Sequence, residues 1–153
     1  MQDFVHLHVH TQYSLLDGQA SVARLVDKAM KNGMKGIAVT DHGNMFGIKE
    51  FTNYVNKKNS GPKGEVKDLK KRIAGIEAGT IECEDKEAEI AACKAKIVEA
   101  ENKLFKPIIG CEMYVARRTM DLKEGKPDQS GYHLIVLAKN ETGYHNLDRK
   151  SVV

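Results

Sequence analysis

The chain has 153 residues, with 24 Lys and Arg against 21 Asp and Glu, a formal net charge of +3 and a hydrophobic fraction of 41%. That length suits one ordinary domain, no apolar run reaches the ~18 residues of a membrane helix, and so small a charge excess is no nucleic-acid footprint by itself. The opening Met1-Gln2-Asp3-Phe4-Val5-His6 lacks an apolar secretory segment, so a cytoplasmic protein with no membrane partner is expected.

Phe4 to Val9 alternates apolar and polar side chains and includes β-branched valines, the pattern of a strand with two unlike faces. Ser21 offers a helix N-cap, and Val22, Leu25, Val26, Ala29 and Met30 follow at helical spacing until Gly33 supplies a stop. Gly36 to Thr40 is a short apolar run, expected as a buried strand, and a helix from about Met45 to Asn56 places Ile48, Phe51 and Val55 on one face. Ile108 to Ala116 and His133 to Ala138 complete the pattern as two further strands. Strands alternating with helices predict an α/β layer or barrel with parallel strands.

Residues 57–105 are different in kind, holding 21 of the 45 charged residues in 49 positions. Val66, Leu69, Ile73 and Ile76 keep helical spacing, as do Ile90, Cys93, Ile97, Ala100 and Leu104, but the register changes near Gly75 and Gly79. An antiparallel, coiled-coil-like hairpin is expected, with Lys67, Lys70, Lys71 and Arg72 facing the acidic run Glu82 to Glu89. A single, partly disordered charged helix is the alternative. In either form the segment reads as an insertion, flanked by Ser60, Gly61 and Pro62 on one side and Pro107 on the other. The three cysteines form no close-spaced pair, so reduced thiols are expected, Cys83 and Cys93 on a helix and Cys111 in a core strand.

The chemistry begins at His6-Leu7-His8-Val9-His10. On a regular strand the three imidazoles share one face, and a divalent cation would relieve their crowding. Asp41, His42 and Gly43 follow the second strand at its carboxyl end, where active sites of parallel α/β folds form. His42 reads as a ligand; Asp41 either caps the next helix or backs an imidazole as a supporting carboxylate. Glu112 lies within an apolar strand, where an unpaired charge is costly, so it meets a metal, pairs with Arg117 or Arg118, or faces outward. Together with His133, these residues give a nitrogen and oxygen ligand set (His8, His10, His42, Glu112, His133) suited to zinc, manganese or iron. Clustered divalent ions favour phosphoester hydrolysis. Asp17 reads by itself as a turn former.

The block from His6 to Gly18, the Ile37-Ala38-Val39-Thr40-Asp41-His42-Gly43 block, the Pro107-Ile108-Ile109-Gly110-Cys111-Glu112 block, and His133 to Asn140 with Gly143 to Leu147 together resemble the PHP (polymerase and histidinol phosphatase) family. More narrowly, the third and fourth of these blocks look like the PHP domain that opens bacterial replicative DNA polymerase III alpha subunits. The resemblance implies a distorted seven-stranded β/α barrel holding up to three divalent metals. It adds Asp17 to His8, His10, His42, Glu112 and His133 as ligands, with His8, His10 and His42 catalytic through the metals and Asp41 behind them. It implies a 3′-to-5′ exonuclease-type phosphodiesterase, with DNA and other replicative subunits as partners. A free-standing phosphatase and a non-catalytic, metal-stabilised module are the alternatives. Residues 1–153 read as the N-terminal part of such a domain, interrupted by 57–105. The barrel's later strands, its downstream ligands and the polymerase domains would lie beyond Val153, so the fragment alone is expected to turn over weakly or not at all.

Overall fold

A computed structural model describes residues 4–119, 121–126, 129 and 131–151. In chain order the elements are α1 (Val22–Lys31), β1 (Gly36–Val39), α2 (Ile48–Lys58), α3 (Ser60–Glu77), α4 (Lys86–Asn102), β2 (Lys106–Val115), β3 (Tyr132–Leu137) and α5 (Glu141–Ser151). They divide into two compact units, Met1–Tyr54 with Lys106–Val153, and Val55–Phe105.

In the first unit the Ser21 hydroxyl accepts the Arg24 N–H and starts α1, and Gly33, at φ 77°, ends it. Val22 and Val26 are fully buried, as are Ile37, Ala38 and Val39 of β1 and Ile48 and Phe51 of α2. Removing each Val, Ile or Phe from water contributes roughly 1.5–3 kcal/mol before entropic costs. The three strands form a sheet in the order β1-β2-β3. β1 and β2 are parallel, with Gly36 opposite Lys106 and Val39 opposite Ile109.

The second pairing departs from the all-parallel expectation. β3 runs antiparallel to β2, with Gly110 opposite Leu137 and Tyr114 opposite His133. Residues 116–131 contain no α-helix among the described residues, and without a crossover helix the chain returns in the opposite direction. The described residues are thus a mixed α/β arrangement with a three-stranded sheet rather than a closed barrel.

The expected first strand, Phe4 to Val9, is also altered. It runs beside β1, with Ala38 N donating to His6 O at 2.8 Å and Thr40 N to Val9 O at 2.9 Å, but it bends at Leu7 and makes no regular ladder. Three residue steps from His6 to Val9 oppose two from Ala38 to Thr40, and this bulge-like extra residue breaks the alternation of faces. His6 therefore lines a small cavity with Ala29 and Met34, apart from His8 and His10.

In the second unit α3 and α4 lie side by side and antiparallel. Asn59 before α3 bonds Phe105 after α4, and Arg72 late in α3 pairs with Glu89 early in α4 at 2.8 Å. Lys70, expected against the acidic run, instead reaches Glu101 at 3.9 Å. Ile76, Cys93, Ala100 and Phe105 are buried. Ser60, Gly61 and Pro62, read as the flank of the insertion, form the first turn of α3. Asn59 has helical φ and ψ, Asn59 N bonds Val55 O, and Lys63 N bonds Asn59 O, so within the second unit residues 55–59 lead into α3 with little interruption. Pro62 is tolerated because it falls in the first turn of α3. Cys83 lies in the loop between α3 and α4 rather than on a helix; all three cysteines are free.

Candidate metal centre

Backbone pairing carries β1 toward the site without a change of register. Past Val39, Glu112 N bonds Asp41 O at 3.0 Å and Gly43 N bonds Glu112 O at 2.8 Å, so His42 stands beside Glu112 in the offset already set by Val39 and Ile109. The His42 ring is thereby fixed next to the one carboxylate in the middle of β2.

Asp41, expected either as a cap or behind an imidazole, takes neither place directly. It is 1% exposed, and both its oxygens are used on the loop after His10. Oδ1 accepts Thr11 N–H at 2.6 Å and the Ser14 hydroxyl at 2.6 Å, while Oδ2 accepts the Thr11 hydroxyl at 2.8 Å. Ser14 Oγ then accepts His42 N–H at 3.0 Å, which ties that loop to the His42 backbone. Asp17 N and Gly18 N close the turn on Ser14 O, and Leu16 takes the left-handed φ of 74° to allow it. Gly18 is required there, since a Cβ would stand 2.0 Å from Thr11 O.

These constraints bring together all six residues assigned by the resemblance. His8, His10 and Glu112 form one group whose ligand atoms lie within 4.8 Å of one another; His10, Asp17 and His42 form a second, and His42, Glu112 and His133 a third. His42 Nδ1 is 2.8 Å from Asp17 Oδ2 and 3.2 Å from Glu112 Oε2, and His133 Nδ1 is 3.0 Å from Glu112 Oε1. His8 directs Nδ1 to the Thr40 hydroxyl at 2.9 Å, a partner that fixes the ring and leaves Nε2 as its donor atom. Among the described residues no ion pair joins Glu112 to Arg117 or Arg118: Arg118 meets Glu124, and Arg117 lies over the Tyr132 ring.

The electrostatics fit a cation. His10 Nε2 and Glu112 Oε2 approach to 2.7 Å, yet their geometry makes no hydrogen bond, so both buried atoms lack a proper partner. A buried nitrogen lone pair and a carboxylate oxygen aimed at the same space are what a divalent ion requires. Burial alone would raise the Glu112 carboxyl. The hydrogen bond from His133, with the neighbouring His10, outweighs it and holds the group below its usual value.

Tyr114 was not singled out from sequence. Its hydroxyl bonds His42 Nε2, and its ring meets the edges of His42 and His133. The signal was present: two positions after Glu112 on a strand is the same face. Thr40 and Ser14 could not be read this way, because their roles depend on partners distant in sequence, His8 and Val9 for Thr40 and Asp41 and His42 for Ser14.

A family model described as PHP domain matches residues 6–97 and 90–150. The chain is 40% identical over 145 residues to a DNA polymerase III subunit alpha of Treponema pallidum, covering 94% of this chain and 8% of that protein. It is 40% identical over 147 residues to the protein of that name from Borreliella burgdorferi, covering 94% and 9%, and 31% identical over 158 residues to that from Aquifex aeolicus, covering 99% and 10%. The chain thus spans about a tenth of the length of these curated relatives.

Proposed function

The chain belongs to the PHP domain family, and from that premise we propose that it is the N-terminal PHP segment of a replicative DNA polymerase alpha subunit whose metal centre hydrolyses phosphodiesters. The single observation that carries this reading is the convergence of His8, His10, Asp17, His42, Glu112 and His133 in three overlapping groups. His10, His42 and Glu112 each belong to two of them, as expected for residues shared within a cluster rather than bound to one isolated ion. In this reading the described strands are part of a larger barrel, residues 57–105 are an insertion, and DNA and the other replicative subunits are partners of the whole protein.

Divalent ions held there would supply an attacking water of lowered pKa and offset charge on the phosphate oxygens. The protein's own contribution is position. Thr40 orients His8, the Asp41 network fixes the loop bearing Asp17, and the continued β1–β2 register sets His42 against Glu112. Ser14 is withheld from nucleophilic work, because its hydroxyl donates to Asp41 and accepts from His42 N–H. Cys111 is withheld as well, being fully buried with its sulfur directed at Asp41 O and Asn44 O.

The test uses the full polymerase subunit with single-stranded DNA labelled at its 3′ end, in manganese. We expect nucleotide release that His10→Ala and Glu112→Gln reduce at least 100-fold. Equal release by both variants would remove the catalytic role. Metal that raises the melting temperature without any turnover would favour the structural module instead.

A further inference from the structure

We infer that Tyr114 is a positioning residue for this centre, holding His42 Nε2 so that Nδ1 is the nitrogen presented to the cluster. The inference rests on the metal-binding reading above. The two nitrogens of His42 have unlike surroundings. Nδ1 faces two oxygens of the ligand set, Asp17 Oδ2 at 2.8 Å and Glu112 Oε2 at 3.2 Å. Nε2, on the opposite side of the ring, is held by the Tyr114 hydroxyl.

A metal-bound imidazole gives a lone pair from one nitrogen and keeps its proton on the other, where a hydrogen-bond acceptor fixes the ring. With Nδ1 toward Asp17 and Glu112, that proton sits on Nε2, and the phenol oxygen is placed to accept it. Rotating the ring by half a turn would point Nε2 into the cluster and forfeit this contact.

Tyr114 is 57% exposed, but its ring is placed by its neighbours. Its ring stands edge-on to His42 and to His133, with centroids 5.0 Å away in both cases. Its backbone lies in β2 directly opposite His133. On the other side the chain passes close at Gly43, where a Cβ would stand 3.3 Å from the Tyr114 ring and where φ is +66°. A side chain at 43 would crowd the ring, so glycine leaves room for tyrosine to reach Nε2.

The test compares the wild-type 153-residue chain with Tyr114→Phe, using zinc alone as the probe. Calorimetric titration gives affinity, and nitrogen NMR of the zinc-loaded protein shows which His42 nitrogen is bound. We expect Nδ1 coordination in the wild type, and in Tyr114→Phe an affinity loss of about 10–100-fold with His42 divided between Nδ1 and Nε2 coordination. Unchanged affinity with Nδ1 coordination in the variant overturns the inference and leaves the metal reading standing, as does Nε2 coordination in the wild type. That wild-type assignment decides the matter even if the variant fails to fold. A wild-type chain that binds no zinc overturns both.

Discussion

The side-chain amide of Asn59 closes a two-bond ring on the backbone of Phe105, 46 positions away: Nδ2 donates to Phe105 O at 2.8 Å and Oδ1 accepts Phe105 N–H at 2.9 Å. Both residues are buried, and the amide joins the entry of α3 to the exit of α4. Asn59→Ala strands a buried N–H and a buried carbonyl, each costing ~1–3 kcal/mol when unsatisfied. We expect a loss of about 2–4 kcal/mol in urea unfolding, and one at least as large for Asn59→Asp, which keeps the acceptor but turns a carboxylate oxygen toward the Phe105 carbonyl. An Ala variant as stable as wild type would show that water replaces the amide at no cost.

Asp41 is the corresponding centre of the first unit. Its carboxylate accepts three hydrogen bonds from Thr11 and Ser14, and hydrogen bonds to a charged group contribute about 1.5–3 kcal/mol each. Asp41→Asn turns an NH2 group toward a donor. With chelator present, so that no metal enters the comparison, we expect stability to fall by roughly 2–3 kcal/mol. The Asp17 loop should loosen with it, read as faster amide exchange at Asp17 and Gly18, whose N–H groups bond Ser14 O. Unaltered exchange would mean that the turn holds itself without Asp41.

The helix α1, the strand β1 and the candidate ligand Glu112 were legible because each rests on a short-range rule: caps and helical spacing for α1, an apolar run ended by Asp41 and His42 for β1, a lone carboxylate in an apolar strand for Glu112; Asp17 came only through the family resemblance. What escaped depends on interactions distant in sequence. The His6–His10 alternation failed because β1 imposes an extra residue on its neighbour, and nothing within Phe4–Val9 records that. Ser60-Gly61-Pro62, read as the flank of the insertion, falls in the first turn of α3, because Asn59 takes helical dihedrals and directs its side chain to Phe105 instead of capping that helix. The direction of β3 was likewise hidden, since strand patterns do not encode it.

Acidification should expose the Glu112 interactions. Its carboxyl is held below its ordinary value of 4.5, because the hydrogen bond from His133 and the influence of His10 outweigh its burial. A carboxylate with a depressed folded-state value stabilises the fold above the unfolded value, and that contribution is lost as pH falls through the folded one. In chelator-treated protein, part of the loss of stability below pH ~4.5 should therefore belong to Glu112. Glu112→Gln should flatten that part of the curve while lowering stability less at pH 3 than at pH 6. Parallel curves for the two proteins over this range would assign the acid sensitivity to other groups.

Thiol chemistry offers a check on the packing of β2. Cys111 is fully buried, and burial, reinforced by the charge of Asp41, pushes its thiol above the usual value. Because the thiolate is the reactive form, both effects slow its alkylation. Cys93 is also buried on α4, whereas Cys83 is partly exposed in the loop before that helix. Iodoacetamide at pH 8 should modify Cys83 first in the native chain, with Cys93 and Cys111 reacting at rates set by unfolding. Mass mapping over time gives the order, and adding urea should bring the three rates together. Early modification of Cys111 would mean that β2 does not keep its sulfur against Asp41 O and Asn44 O, and the register that aligns His42 with Glu112 would be in error.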